Sequence, residues 1–307
     1  MILISLLLMQ VAYAPETEAV MNRSRQKAEE QRALQAKERP ANERSAQDRQ
    51  AQETPRPGPA GVPLSPEVAA KLQACLDAAM EDPAAGVRAA QQWSMQGGSF
   101  SAAQCQGFAE ARGEHWDAAI AAFETAATEA QKAGSDQDAA RLWAQAGNAA
   151  LAGGKAQQAR GYFDAALAHG LPDGMEKGEI YLDRSRALVM AGEEKAARAD
   201  LDQALQQAGA DPLAWLLSAT LARRSDDLGR ARNDIAEAKK RAPDDASIAL
   251  EEGNIAILSD DEANAKAAWQ RAVALAPDSE QGRAAKDSLA RLDGAAAEAG
   301  GALTPRP

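Results

Sequence analysis

The chain has 307 residues, of which 45% are apolar but only 4% aromatic, and its formal net charge is −11. Alanine dominates the apolar residues, which excludes a thick core of large side chains and favours closely packed helices, because alanine has the highest helix propensity. No stretch alternates apolar and polar residues as a half-buried strand does, so we predict an all-α fold. The acidic balance argues against nucleic acid as the main partner, because such a body repels phosphate.

Residues 1–14, MILISLLLMQVAYA, form an almost continuous apolar run. The run is shorter than the about 20 residues of a membrane-spanning helix, so we expect no stable membrane span. It matches the apolar part of a secretory signal, with a small-x-small pattern at Ala12 and Ala14. We therefore expect a signal peptide and a periplasmic or secreted protein. An uncleaved segment or a misassigned start remains the alternative, because no Lys or Arg precedes the run and Pro15 would follow the cut.

Residues 15–64 form a second zone that is rich in Arg, Gln, Glu and Ala and nearly lacks large apolar residues. Such a segment cannot bury enough surface to offset the entropy of ordering it. The stretch TPRPGPAGVP near its end is incompatible with a helix. We predict a disordered, charged and Pro-rich linker.

Two helices are predicted over residues 65–98. Ser65 and Pro66 give the N-cap and first-turn signals of the first helix, and Asp82 and Pro83 open the second.

From residue 99 onward, small residues recur in register with one bulky residue per unit. In the last three units the first small residue is spaced by 34 residues, at Ser185, Ala219 and Gly253. Each unit has a second small residue and then a bulky one. The five sets, in chain order, are Gly107, Ala119 and Phe123; Gly147, Ala159 and Phe163; Ser185, Ala197 and Leu201; Ala219, Ala231 and Ile235; Gly253, Ala265 and Trp269.

This pattern resembles the tetratricopeptide repeat (TPR), a 34-residue helix–turn–helix unit, over about residues 99–278. The resemblance implies a right-handed superhelical solenoid of helix pairs. We expect the solenoid and its closing helix to cover residues 99–293, the helix pair at 65–98 to cap its front, and residues 294–307 to be a disordered tail. The first three units are spaced by 40 and 38 residues, which predicts longer helices or turns there.

The two cysteines, Cys75 and Cys105, fall at equivalent positions of adjacent first helices when the repeat register is extended toward the N-terminus. Equivalent positions are neighbours in a solenoid. We predict a disulfide between them, with two reduced, buried cysteines as the alternative.

The sequence contains no catalytic motif. His115 and His169 lie in predicted turns without a cysteine or carboxylate at metal-ligand spacing, and no phosphate-binding loop or nucleophile motif occurs. We expect no enzyme activity, no cofactor and no metal.

The family resemblance also implies which first-helix positions line the concave groove. At those positions this chain mixes apolar and charged residues, which suits an amphipathic helix or an extended segment of a partner protein. The basic clamp by which some relatives hold a terminal carboxylate is absent. Burial of the leucines against neighbouring helices is the alternative. The predicted groove residues are Arg141, Gln145, Asn148, Asp183, Arg186, Met190, Leu217, Arg224, Glu251, Asn254 and Leu258.

Two functions therefore fit the sequence. One is a non-enzymatic scaffold that binds a segment of another protein in its groove. The other is a structural repeat protein that associates with itself into homo-oligomers.

Overall fold

The computed structural model of the chain describes residues 64–301, and side chains as far as residue 294. The predicted signal peptide, all but the last residue of the predicted linker, and residues 302–307 lie outside these residues. No helix of the described part is long and apolar enough to cross a membrane.

The described residues form thirteen α-helices and no strand, which confirms the all-α prediction. The helices are α1 (Pro66–Glu81), α2 (Pro83–Met95), α3 (Ser99–Arg112), α4 (Trp116–Lys132), α5 (Asp136–Ala152), α6 (Ala156–Ala168), α7 (Met175–Met190), α8 (Glu194–Ala208), α9 (Pro212–Arg224), α10 (Leu228–Arg241), α11 (Ala246–Leu258), α12 (Glu262–Leu275) and α13 (Glu280–Gly301).

Local sequence signals set the helix starts. The Ser65 hydroxyl accepts a hydrogen bond from the Val68 amide at 3.3 Å, and Asp82 accepts one from the Ala84 amide at 3.0 Å. Both side chains satisfy amides that the first helical turn leaves without a partner. The capping signals predicted for α1 and α2 are therefore confirmed.

The chain divides into two compact units between Ala208 and Gly209. The N-terminal unit contains α1–α8 and the C-terminal unit contains α9–α13. The sequence interpretation treated residues 99–293 as one solenoid and placed no boundary at residue 209. The Gly209 carbonyl accepts hydrogen bonds from the Trp215 indole and the Arg241 guanidinium, both at 2.8 Å, and these bonds tie residue 209 to α9 and α10.

Within each unit, the small and bulky residues of the repeat register pack as pairs. Gly147 on α5 faces Phe163 on α6, and a Cβ at residue 147 would lie 2.6 Å from a Phe163 ring carbon. Phe163 is completely buried. Gly107 faces Phe123 and Gly253 faces Trp269 in the same way. The glycines thus make room for aromatic rings between the two helices of one repeat.

The longer spacing of the early repeats has a clear structural origin. Both α4 and α5 have 17 residues, so the additional residues between the first and second repeats lengthen helices. The additional residues between the second and third repeats form the loop between α6 and α7, where Gly174 adopts φ 141°. At the other end, α13 continues to Gly301, beyond the tail boundary predicted at residue 294, because its AAAEA stretch consists of strong helix formers.

Cys75 on α1 and Cys105 on α3 form a disulfide with a Cα–Cα distance of 6.2 Å. This bond joins the predicted capping pair to the first repeat, at the place expected from the repeat register.

Candidate partner-binding faces

The predicted groove residues are divided between the two units, and each set is described separately. The N-terminal face consists of Arg141, Gln145 and Asn148 on α5 with Asp183, Arg186 and Met190 on α7. The C-terminal face consists of Leu217 and Arg224 on α9 with Glu251, Asn254 and Leu258 on α11.

The N-terminal face is cross-linked by polar pairs between α5 and α7. Arg141 donates to both carboxylate oxygens of Glu176, at 2.5 and 3.2 Å, and Asn148 donates to Asp183 at 3.0 Å. The hydrogen bond to Glu176 is the main reason that the pKa of Arg141 is raised above its ordinary value. The sequence interpretation missed Glu176. Its separation of 35 residues from Arg141, the same as that between Asn148 and Asp183, was the available signal.

Between these two pairs lies Gln145, whose buried side-chain oxygen accepts no hydrogen bond in the described part of the protein. Arg186 donates to Asp183 at 3.2 Å, so this charge is also engaged within the face. Met190, at the end of α7, is 45% exposed. The N-terminal face therefore offers one exposed apolar side chain, Met190, while its charges are internally balanced and the unpaired Gln145 oxygen is buried.

The C-terminal face contains a buried polar chain. Glu251 is only 7% exposed and accepts hydrogen bonds from Arg223 at 2.6 Å and from Asn254 at 3.3 Å. The Asn254 side-chain oxygen Oδ1 in turn accepts a hydrogen bond from the Trp269 indole at 3.1 Å. Glu251 and Asn254, which the sequence suggested as groove contacts, thus bind residues of their own unit. Arg223, at the last turn of α9, supplies the positive charge that allows Glu251 to be buried.

Beside that polar chain, the C-terminal face carries exposed apolar surface. Leu258 is 53% exposed and Leu217 is half-buried, while Arg224 is exposed. The packing alternative concerned Leu216, Leu217, Leu250 and Ile257. Of these, Leu216, Leu250 and Ile257 pack against core clusters of the unit, so the alternative is correct for these three.

Neither histidine forms part of a metal site. His115 Nδ1 lies 2.9 Å from a Glu110 carboxylate oxygen, and His169 Nε2 lies 2.8 Å from the Gln131 amide nitrogen. Both contacts join a turn to a neighbouring helix. Across residues 64–301, no group of three His, Cys, Asp or Glu side chains could hold a metal ion.

No family model matches the sequence, and no curated protein is significantly similar to it. Solved structures do resemble the chain. PilW, described as a widely conserved type IV pilus biogenesis factor, is 18% identical over 72% of this chain and 98% of its own, with a TM-score of 0.60. PilF of Pseudomonas aeruginosa is 12% identical over 72% and 99%, with a TM-score of 0.57. YrrB, described as a TPR protein with an unusual peptide-binding site, is 18% identical over 61% and 91%, at a TM-score of 0.46 that is too low to bear on function.

Identities this low concern the fold alone. The structural similarity, together with the helix pairs and their small–bulky register, confirms the TPR fold that the sequence predicted.

Proposed function

We propose that the protein is a non-enzymatic interaction module that binds an amphipathic helix of a partner protein on its C-terminal face. The observation that carries the proposal is the exposure of Leu258 on α11, at 53%, on the same predicted face as the half-buried Leu217 of α9. Exposed apolar side chains on a first-helix face are suited to the apolar stripe of a docked helix.

The hydrogen bonding of the face favours a helix over an extended segment. An extended segment must find partners for its backbone amides and carbonyls, whereas a helix satisfies them internally. On this face Asn254 already binds Glu251 and Trp269, and the Thr220 hydroxyl donates to the Leu216 carbonyl at 2.9 Å, so each keeps only part of its hydrogen-bonding capacity for a partner backbone. A helix with leucine-sized anchors at i, i+3 or i+4, and i+7 loses no backbone hydrogen bond there.

On the N-terminal face, Met190 is the side chain through which we propose a further contact. It is 45% exposed and flexible enough to adapt to a varied partner surface. The charged side chains of this face bind one another.

Photo-crosslinking tests this function. A crosslinker placed at Leu217 or Leu258 in the native cells should capture the same partner, and the captured segment should be helical. The matched control positions are Asn233 and Gln270, which are exposed on the second helices α10 and α12. Equal capture at the control positions would reject the proposal.

A substitution makes the crosslinking test quantitative. Leu258→Asp should lower capture from position 217 at least 10-fold, whereas Gln270→Asp should leave it unchanged. If the captured chain is another copy of this protein, self-association replaces partner binding as the function.

We also propose that the protein acts in an oxidising compartment, such as the periplasm. The disulfide supports this location, because disulfides persist where thiols are not kept reduced. Alkylation of thiols in intact, fractionated cells should find both cysteines blocked and the protein outside the cytoplasm. Free thiols in a cytoplasmic fraction would contradict the proposal.

A further inference from the structure

Helix α1 is held to the rest of the unit by very little buried side-chain surface. Of its 16 residues only Cys75 and Ala79 are buried. Its largest apolar residues contribute less, because Leu72 and Leu76 are only partly buried and Met80 is 55% exposed. A helix of this length is marginal in water without packing against a neighbour.

Helix α2 is attached differently. It buries Trp93, which lies against Gly98 at the turn before α3, where a Cβ would come within 2.8 Å of the indole and 2.7 Å of Ala102. A buried tryptophan removes far more apolar surface from water than an alanine or a cysteine does. Helix α2 therefore has an anchor of its own on α3, and α1 has none of comparable size.

The surface that α1 covers is built from small residues. Gly86 on α2 approaches Ala79 so closely that a Cβ at residue 86 would overlap it, and the same Cβ would lie 2.9 Å from Ala109 on α3. Ala109 and Cys105 are completely buried. Small side chains permit this close approach, but each contributes little to the hydrophobic free energy. The disulfide is the one strong link between α1 and α3.

We propose that α1 docks only when Cys75 and Cys105 are joined, so that oxidation completes the N-terminal end of the unit and reduction releases α1 while α2 stays bound. In the forward step the two thiols pass two electrons and two protons to the disulfide of an exchange partner, which leaves as a dithiol. In reverse, a dithiol reductant donates them back. Because both sulfurs are buried, α1 must move before the reductant can attack, which makes the closed state persistent.

Release of α1 has a structural consequence. It exposes Ala90, Cys105 and Ala109, a stripe of small residues against which one helix already packs closely. In the reduced chain these small residues are exposed to solvent, and in the oxidised chain α1 covers them.

Hydrogen exchange of the whole protein, followed by mass spectrometry, tests the proposal. The oxidised chain is compared with the chain reduced by a phosphine, in which a mass gain of two hydrogens confirms reduction. Exchange in α1 should accelerate by about 500-fold, the order expected from losing a 30-residue loop closure. Exchange in α2 and in α4–α8 should change by less than about threefold.

The variant Cys75→Ala/Cys105→Ala is the matched control. It should show the fast α1 exchange without reductant and no further change when reductant is added. Protection of α1 that survives reduction would show that the bond is dispensable. Equal loss of protection throughout α1–α8 would show a general stabiliser and not a latch on α1.

Discussion

The small–bulky pairs decide how closely the two helices of a repeat approach. Where the bulky residue is Phe123, Phe163 or Trp269, its partner is glycine. In the two repeats whose bulky residue is Leu201 or Ile235, the small position holds serine or alanine. The size of one residue is thus matched by the other, as close packing of a core requires.

We expect Gly147→Ala to destabilise the N-terminal unit by about 1–3 kcal/mol, since the added carbon meets Phe163 in a filled core. Denaturant unfolding measures the change. The control is Gly161→Ala on the exposed side of α6, where nothing lies within 4 Å of the new carbon. That substitution should stabilise the protein by about 0.5–1 kcal/mol through helix propensity. Stabilisation by both would contradict the packing argument.

A buried ion pair fixes the register of α7 against α8. Arg184 donates two hydrogen bonds of 2.7 Å to Asp200, which is 5% exposed, and a third to Asp164 at 2.7 Å. These bonds, those to Asp200 first, raise the pKa of Arg184 above its ordinary value.

Removing the arginine leaves the buried Asp200 carboxylate without its partner. We expect Arg184→Met to cost about 3–5 kcal/mol of unfolding free energy. Thermal and denaturant unfolding measure this loss. The control, Arg88→Met, breaks an exposed pair with Asp82 and should change stability by less than about 1 kcal/mol. A similar small effect of both substitutions would show that Asp200 finds another partner or water.

At the scale of elements, the sequence signals for helix starts were reliable because they act over three or four residues. Ser65, Asp82 and the prolines that follow them mark starts, and Pro243 and Pro277 each lie two residues beyond a helix end. The lengths of α4, α5 and α13 were not predictable in the same way. Several residues at which these helices could end have similar helix propensity. The residue at which each helix does end is therefore set by tertiary packing, or by where the next helix-breaking residue lies.

The closing helix α13 depends on one close approach. A Cβ at Gly282 would overlap the Ala276 carbonyl oxygen, so only glycine lets the start of α13 fold back on the end of α12. We expect Gly282→Ala to raise amide exchange in α13 at least 10-fold while α9 and α10 keep their protection. Gly294→Ala, with nothing within 4 Å, is the control and should leave exchange in α13 unchanged or slow it, because alanine favours a helix. Unchanged exchange in both variants would refute the requirement.

For the whole molecule, charge is the property that the sequence alone predicts. With a net charge of −11, the protein should form no complex with duplex DNA at about 10⁻⁶ to 10⁻⁴ M and physiological salt, the range in which non-specific DNA-binding proteins bind. A gel-shift titration, with a basic DNA-binding protein as positive control, measures this. A complex that weakens as salt increases would contradict the prediction.

The division at Ala208 and Gly209 is also a property of the whole molecule, and the repeat register gave no sign of it. The register continues with the same small–bulky spacing on both sides of residue 209. Repeat signatures report contacts within a helix pair, whereas a unit boundary depends on contacts between successive pairs.

The sequence by itself determined the all-α class, the paired helices and the caps of α1 and α2, because each follows from residue type and spacing along one chain. It predicted the Cys75–Cys105 disulfide with two reduced cysteines as the alternative, and the structure decided between them. Only the tertiary structure decided which groove residues are available. Glu251 and Leu258 belong to the same predicted face, yet one is buried beneath an arginine and the other is exposed. The difference depends on Arg223, a side chain from another helix, and no periodicity within α11 specifies where that side chain points.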